Sequence, residues 1–495
     1  MADAVLAAAG SDRPAASGGE GGVFSKTGFA WAWFEAARNP YYILIVIYVF
    51  APYFARDIVG ADILASGQLE GLSPEAAAAA AGAEGQAMVA SLSKWAGLVA
   101  AFTAPFLGAA FDRGLRRKPL LLVCLSLISL ISISLWWAIP GPEGFSTGTL
   151  MLLLIIAYVA YAYSEVSHNS MLPDAARLDA LPAISGLALA LGNAVATVMF
   201  IGLVVFFALP DAIGWPAPQA LFGIDTSQYE QFRIAGPICG VWMLLSMWLF
   251  FANGRDTGVK GTSAVRAIRE GAIGVFRTVR QAAHHKEAFK FLIARMLYAD
   301  GMAALLMMGA VYVSLFLGWN LIELTIYAIW ASAWAVAGGI FGGWLDQKMG
   351  PKNALVLELI AIVLILFFGL SITKDSALFG LIPNQQVWDV PFFSGTSDLL
   401  YLVQGALIAV FATANISSSR SMLVHVAPAH MRGEFFGLYA IAGTVTVWLG
   451  PLMVEQFTRA SGDQRIGMSA IAILFFLGLA VLLTIKRETP AAKAL

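Results

Sequence analysis

The stretch GAAFDRGLRRK at residues 108–118 is a short polar segment between two long apolar runs. A second stretch with the same layout, GGWLDQKMGPK, occupies residues 342–352. Both begin with glycine, carry an aspartate four positions later and end in lysine, so that Asp112 recurs as Asp346. A further repeat relates Ser170-Met-Leu172 to Ser421-Met-Leu423. The chain therefore contains two copies of one arrangement of segments.

The composition is that of a membrane protein. Of the 495 residues, 59% are hydrophobic and 12% are charged, whereas soluble chains average about 45–50% apolar and about 25% charged residues. Lys and Arg number 30 against 31 Asp and Glu, so there is no basic surplus to neutralise nucleic-acid phosphates. These values exclude an ordinary soluble enzyme, a disordered protein and a nucleic-acid binder. The two cysteines, Cys124 and Cys239, lie in apolar runs and are interpreted as packing residues.

Twelve apolar runs are long enough to cross a membrane, since a spanning helix needs roughly 20 mostly apolar residues. They occupy residues 29–55, 87–110, 119–139, 149–170, 183–209, 231–252, 289–317, 321–343, 353–373, 398–418, 434–457 and 465–486. The runs lack the alternation of membrane barrel strands. The sequence predicts an all-α integral membrane protein whose twelve transmembrane helices form two six-helix pseudo-repeats. Such parallel halves are typical of secondary transporters with a site between them.

The basic residues fall mostly on one side of the predicted spans, 22 against 4 on the other. The positive-inside rule places that side, with both termini, in the cytoplasm. The predicted organisation is a mobile tail (1–28), an N-terminal half (29–252), a basic linker (253–288), a C-terminal half (289–486) and a second tail (487–495). Apolar residues within the linker predict short helices lying on the membrane surface.

The stretch 108–118 resembles the loop signature that follows the second span in the major facilitator superfamily. Other stretches are similar to the vacuolar-effluxer-like branch of that superfamily, namely Trp33–Ala37, Pro52–Phe54, Asn169–Asp174, Tyr298–Gly301 and Glu434–Tyr439. The resemblance implies the major facilitator fold and alternating access between two halves. It also implies amino acids as solutes, because eukaryotic members of the branch are implicated in exporting amino acids from the vacuole.

The resemblance further implies a conformational latch made of charged residues at helix ends. The candidates are Asp112, Arg113, Arg117, Asp174, Asp346, Arg420 and Arg432. Gln347 replaces the arginine of the signature in the second half, so the second latch is expected to be weaker. Capping of helix ends is the alternative interpretation for Asp174 and Arg420.

Ionisable residues inside spans need a reason, because each costs roughly 2.5–3.5 kcal/mol on insertion. Glu35, Arg38 and Asn39 share one helix face. They form either a cavity patch that binds a charged solute group or a self-neutralised pair that anchors the helix. Tyr161, Glu165 and His168 share a face of the fourth span. They form either a proton relay, because His titrates near neutral pH, or a structural cluster.

The second half offers fewer candidates. Asp300 lies near the middle of the seventh span and is predicted to be a site residue. The alternative is an ion pair with Arg295, itself a candidate, or with Arg38. Gln404 and Asn415 on the tenth span could supply neutral hydrogen bonds to a solute. Lys94 is expected to extend its ammonium group to the outer membrane interface.

The predicted function is secondary active transport of a small polar solute, an amino acid or short peptide, driven by protons. No enzymatic activity, cofactor or metal site is predicted, because no nucleotide-binding loop, nucleophile motif or metal-ligand spacing is present. The expected partners are the solute, protons and membrane lipid, with no nucleic acid, for a monomer in a bacterial inner or plasma membrane. The alternatives are a lipid or amphiphile flippase, a multidrug exporter, and a non-translocating receptor or membrane-embedded enzyme.

Overall fold

The computed structural model describes residues 22–177, 180–259, 263–428, 435, 438–439 and 441–486. The N-terminal half contains six long helices: α1 (Lys26–Ala65), α2 (Pro74–Asp112), α3 (Lys118–Ser134), α4 (Thr147–Asn169), α5 (Leu181–Leu203) and α6 (Ala235–Asn253). Helix α1 contains two π-helical segments, Tyr41–Tyr48 and Phe54–Val59. They follow Pro40 and Pro52, because proline lacks the N–H that the α-helical ladder needs.

Short helical pieces join these helices. They are Leu135–Trp137, Leu172–Ala175, Val204–Ala208, Leu209–Ile213, Leu221–Gly223, Thr226–Gln228 and Glu230–Arg233. One further helix, Ala264–Ala282, lies between the halves and is called the linker helix.

The C-terminal half contains α7 (Lys286–Phe316), α8 (Leu321–Met349), α9 (Pro351–Leu370), α10 (Thr396–Val426), α11 (Leu449–Ser461) and α12 (Gln464–Leu483). A small antiparallel hairpin, β1 (Ser376–Ala377) and β2 (Ile382–Pro383), lies between α9 and α10. Within the described residues, 11 helices are long and apolar enough to cross a membrane. The remaining predicted span, 434–457, lies partly outside the described residues, and its described part contains most of α11.

The helix ends follow from local sequence. Ser73 accepts a hydrogen bond from the backbone N–H of Ala76 and is followed by Pro74, which suits a first helical turn. Asn320 and Glu323 form a reciprocal capping box at the start of α8. Ser25 caps α1, so the helix begins at Lys26, three residues before the predicted start of the first span.

The linker helix packs against α2. A side chain at Gly271 would collide with Ala109, so the glycine permits the close approach. Arg113 lies 4.0 Å from Glu270, and a hydrogen bond from Arg266 keeps the pKa of Glu270 below its usual value. Apolar side chains on another face of this helix are exposed: Val265, Ile268 and Ile273. The end of the bundle that carries residues 113–118 and the linker helix is called the basic end, and the opposite end is called the far end.

Small residues determine how closely α8 and α10 approach. A Cβ atom at Gly338 would collide with the backbone of Val410, and one at Gly342 would lie 2.7 Å from the Cα atom of Ala414. Glycines spaced four apart allow two membrane helices to pack backbone against backbone. This contact is one of the main contacts within the C-terminal half.

Substituting Gly338 by valine is expected to lower stability, because overpacking of a tight contact costs about 1–3 kcal/mol. The midpoint of thermal unfolding of the purified protein in detergent measures this effect. Gly343→Val, on the same helix, is the matched control, since a Cβ atom there has nothing within 4 Å. Equal midpoints for the two variants would contradict this account of the α8–α10 contact.

Candidate functional site

The polar residues predicted on α1 and α4 meet in space. Arg38 donates hydrogen bonds of 2.9 and 3.0 Å to the two carboxylate oxygens of Glu35. Its other guanidinium nitrogen lies 3.7 Å from Glu165 on α4, and the guanidinium carbon lies 4.2 Å from the centre of the Tyr161 ring. Arg38 is buried, whereas half of the Glu165 side chain is exposed. One buried cation is therefore held by two carboxylates and an aromatic face, and one of the carboxylates remains accessible.

His168 connects α4 to α1. Its Nε2 lies 2.8 Å from the carbonyl oxygen of Trp31, and the Trp31 indole donates a hydrogen bond to the His168 carbonyl at 3.0 Å. The imidazole is stacked between Trp31 and Phe34, with centroid separations of 4.2 and 4.1 Å. The carbonyl acceptor keeps a proton on Nε2, so Nδ1, 3.4 Å from Glu35, is the nitrogen that can gain one.

Asn39 extends the cluster to α5. Its side-chain amide donates to the Asn193 side chain at 3.0 Å. The two helices approach closely here because the neighbouring Gly192 has no side chain, and a Cβ atom there would lie 3.1 Å from that of Glu35. Asn193 was not among the predicted residues, since a neutral amide inside a span carries a weak sequence signal. The set Glu35, Arg38, Asn39, Tyr161, Glu165 and His168, together with Asn193, is called the Arg38 cluster.

Arg295 and Asp300 do not pair. The Arg295 guanidinium donates to the Tyr439 carbonyl at 2.7 Å and lies 3.5 Å from the centre of that ring. Asp300 is buried and accepts a hydrogen bond of 3.0 Å from the backbone N–H of Gly450, the second residue of α11. The alternative of an ion pair with Arg295 or Arg38 is therefore wrong for this structure. Asp300 instead caps the N-terminus of α11 from a neighbouring helix, where a carboxylate is favourable.

Two variants separate the capping role of Asp300 from its charge. Asp300→Ala removes the acceptor and is expected to cost about 0.5–2 kcal/mol of stability, as for other helix caps. Asp300→Asn keeps a side-chain oxygen and is expected to stay near the wild type. Thermal unfolding and hydrogen exchange at residues 449–452 report the loss. Asp463→Ala is the positive control, because Asp463 caps α12 and its loss should speed exchange at the start of that helix. Faster exchange in this control, with unchanged exchange at residues 449–452 in Asp300→Ala, would rule out the cap on α11.

Helices α2 and α11 are joined near the far end by charged residues. The Lys94 ammonium lies 2.6 Å from Glu455, and Arg459 lies 2.9 Å from Glu84 and 3.6 Å from Glu455. The side chains of Lys94 and Glu455 are nearly buried. The expectation that Lys94 reaches the outer interface is therefore wrong. These four residues are called the far-end network, and they connect the two halves.

Two of the latch candidates, Arg117 and Asp174, lie close together at the basic end of the N-terminal half. Arg117 donates to the hydroxyls of Ser170 and Thr257, both at 3.2 Å. Thr257 in turn donates to Asp174 at 2.7 Å. The backbone N–H of Arg117 donates to Asp256 at 3.1 Å. These contacts tie α3 and α4 to the start of the linker, which the sequence had not indicated.

The other latch candidates are not brought into this group. Arg113 faces the linker helix, and Arg420 is exposed on α10. Asp346 is partly buried near the basic end of α8. Asp112 is the last residue of α2, and Arg432 lies outside the described residues.

Gln404 and Asn415 lie on one face of α10 and are both buried. Gln404 borders a cavity of about 70 Å³ that is lined by Tyr48 of α1 and by Tyr312, Tyr327 and Tyr401 of the C-terminal half. This volume is enough for several water molecules, since one needs roughly 10–15 Å³. Among the described residues, no group of three or more His, Cys, Asp or Glu side chains is placed to hold a metal ion.

Comparison with known proteins identifies relatives among transporters. The profile of the family described as "Vacuole effluxer Atg22 like" matches residues 86–494. An uncharacterized MFS-type transporter, YxiO, of Bacillus subtilis is 25% identical over 215 residues, which are 43% of this chain and 44% of that protein. Autophagy-related protein 22-2 of Aspergillus niger is 26% identical over 218 residues, 43% of this chain and 34% of that protein. The matches thus span less than half of these curated relatives.

Solved structures share the fold. A D-xylose-proton symporter superimposes with a TM-score of 0.61 at 11% identity, over 94% of this chain and 98% of that chain. The peptide transporter POT in complex with alafosfalin gives a TM-score of 0.57 at 14% identity, over 95% and 98% of the two chains. A bacterial homolog of the human lysosomal transporter Spinster gives 0.57 at 13% identity, over 94% and 98%. At these identities the likeness is one of fold, and it confirms the predicted major facilitator architecture.

Proposed function

Since this chain belongs to the vacuole effluxer Atg22-like family and is a membrane transporter of the major facilitator type, we propose that it carries a small polar solute driven by protons. An amino acid or short peptide is the favoured solute. The transport cycle alternates access between the two six-helix halves, with the basic end in the cytoplasm. The protein works as a monomer in a bacterial inner or plasma membrane.

The Arg38 cluster supports this solute class. It presents a buried guanidinium beside a half-exposed carboxylate, Glu165. A zwitterion can place its carboxylate near Arg38 and its ammonium group near Glu165, since charge-assisted hydrogen bonds of this kind are strong where water is excluded. A solute without charge would leave the buried cation bound to Glu35 through one nitrogen, as it is now, and would gain little.

Two observations support protons as the driving ion. The Nδ1 atom of His168 faces Glu35 at 3.4 Å, so a proton gained there would be shared with a carboxylate that also binds Arg38. Competition between Arg38 and His168 for Glu35 would then release the guanidinium toward a solute. Asp300 supplies a second protonatable group, at a helix terminus between α7 and α11.

Charge movement in proteoliposomes on a sensor surface tests the proposal. The panel comprises amino acids, dipeptides, sugars and organic acids, each offered with and without a pH gradient. A transient for amino acids or dipeptides that shrinks without the gradient is the expected result. Full, pH-independent transport by Asp300→Asn would exclude Asp300 from proton coupling, because that variant keeps the α11 cap but cannot ionise.

A lipid or amphiphile carrier is the second candidate, and the tyrosine-lined cavity beside Gln404 favours it. Aromatic walls suit an apolar or aromatic ligand. Silence across the polar panel together with transport of a hydrophobic dye would replace the first proposal by this one.

A further inference from the structure

A carboxyl group that takes no part in the clusters above is fully buried in the C-terminal half. Glu358 lies on α9 and has 0% exposure. The Ser418 hydroxyl on α10 donates to one of its carboxyl oxygens at 2.8 Å, and the other oxygen, Oε2, has no hydrogen-bond partner among the described residues. A carboxylate that is buried away from water is stable only when it has an ion-pair partner or when it binds a proton or another cation. The group therefore needs something more than Ser418.

The surroundings of Glu358 are polar but hold no compensating positive charge in the described part of the chain. Asp346 of α8 and Asn415 of α10 lie near enough to interact with the Glu358 carboxyl group, and Tyr298 of α7 interacts with it electrostatically as well. On α9 itself, Lys352 bonds instead to the carbonyls of Leu483 and Ile485. Arg465 of α12 bonds to the Leu370 carbonyl at the far end of α9. Among the described residues, Asp346 Oδ1 is also buried without a hydrogen-bond partner, and the Asn415 side-chain amide lies beside the Glu358 carboxyl group.

The internal repeat shows that the fold does not need an acid at this position. The relation between Lys118 and Lys352 places Cys124 at the equivalent of Glu358. Cys124 is buried on α3 as part of the hydrophobic core. The corresponding position of the first half is thus filled by a small packing residue, so an acid at this point of the fold is a feature of the second half alone.

From these observations we propose that Glu358 binds one exchangeable monovalent cation, a proton or Na⁺, in a site completed by Asp346, Asn415 and Ser418. Carboxylate and hydroxyl oxygens are ligands that hard cations prefer, and the side-chain amide of Asn415 can turn its oxygen toward the same cation. The single cation neutralises Glu358 and gives the unpartnered oxygens of Glu358 and Asp346 a positive partner. The existence of this cation site does not depend on the proposed function. Its role as a coupling site for transport does.

Binding at Glu358 has a direct route to α7. Ser418 contacts Glu358, and its neighbour Ser419 bonds to the hydroxyls of Tyr298 at 2.7 Å and Tyr439 at 2.9 Å. The Tyr439 ring in turn covers the Arg295 guanidinium. A change in the charge of Glu358 therefore acts on α10 at the same turn that contacts α7, a helix that packs against α1 and α2 of the other half.

Proton exchange by the purified full-length protein in detergent tests this site without any solute. Weakly buffered protein is titrated between about pH 9 and pH 5, and bound protons are counted for the wild type and for Glu358→Gln. We expect the variant to bind about one proton fewer per molecule. Glu270→Gln is the control, because a hydrogen bond from Arg266 keeps the pKa of Glu270 below its usual value, so that this carboxyl stays ionised throughout the titration. It should bind as many protons as the wild type.

Additions of NaCl and of choline chloride distinguish the two cations. Proton release on adding NaCl but not choline chloride, lost in Glu358→Gln, assigns the site to Na⁺ in competition with protons. No response to NaCl with a one-proton difference assigns it to protons alone. Identical proton counts and no response to NaCl overturn the proposal. If Glu358→Gln does not yield monodisperse protein, Asn415→Ala replaces it and should shift the midpoint of the same titration step. A silent solute panel would leave these results standing, so the two proposals can fail separately.

Discussion

Replacing Lys94 by methionine is expected to open the far end of the molecule. In the structure Lys94 is the buried partner of Glu455. Removing one member of a buried ion pair costs about 3–5 kcal/mol when the other charge is left without compensation, and Arg459, 3.6 Å from Glu455 on the same helix, lowers that cost. That cost applies only while α2 and α11 are in contact, since Glu455 regains water when they part. A shift from 1:99 to 99:1 between two states needs about 5.5 kcal/mol. The substitution should therefore move a large fraction of molecules to the far-end-open state.

Spin labels at Ala79→Cys on α2 and Ser461→Cys on α11 measure this opening as a longer distance distribution. Both positions are exposed, and the native Cys124 and Cys239 are buried. Lys290→Met is the control, because Lys290 pairs with Glu287 within one helix at a partly exposed site, where ion pairs contribute about 0–1 kcal/mol. The exchange Lys94→Glu with Glu455→Lys should restore the short distance. An unchanged distribution in Lys94→Met would show that the far-end network does not hold the halves together.

Replacing Arg38 by methionine is expected to abolish transport and to destabilise the protein. The substitution leaves Glu35 without its two hydrogen bonds and removes the cation that Glu165 faces. The expected loss is again about 3–5 kcal/mol in the free energy of unfolding. Arg38→Lys keeps the charge but loses the planar contact with the Tyr161 ring and the second donor, so it should be intermediate.

Thermal unfolding and the proteoliposome assay measure the two effects of Arg38→Met. Arg56→Met is the matched control on the same helix, because Arg56 binds Asp57 at 2.8 Å with a third of its side chain exposed. Its free energy of unfolding should lie within about 1 kcal/mol of that of the wild type. Equal losses of stability in the two variants would mean that the burial of Arg38 adds nothing to the strength of its pairing.

The helices were predictable because each signal is local. Long apolar runs set the spans, and the caps at Ser73 and Asn320 depend on neighbouring residues. The Arg38 cluster was predictable in part for the same reason, since Glu35 and Arg38 share a helix face. Their meeting with Glu165 and His168 was not, because helical periodicity fixes the face of a residue but not the helix opposite it.

The far-end network and Glu358 show what single-helix patterns miss. Lys94 and Glu455 lie on helices from opposite halves, so nothing in the local sequence relates them. The criterion applied to Asp300, an ionisable residue inside a predicted span, applies equally to Glu358 and Glu455 and identifies both as candidates. Asp300 was predicted to be a site residue, and that remains a prediction; the structure shows that it is buried and that its partner is a backbone N–H, which no sequence pattern displays.

The linker helix sets a limit on how far the halves can part at the basic end. It is fastened to α2, and only residues 283–285 separate its last residue, Ala282, from Lys286 at the start of α7. An extended chain covers at most about 3.3–3.6 Å per residue, so this segment can span roughly 10–14 Å between the end of the linker helix and the start of α7. A wider opening requires the linker helix to detach from Ala109 and Arg113. In the proposed cycle this short segment is expected to limit how far the halves separate, and lengthening it should change that distance without altering any residue of the Arg38 cluster.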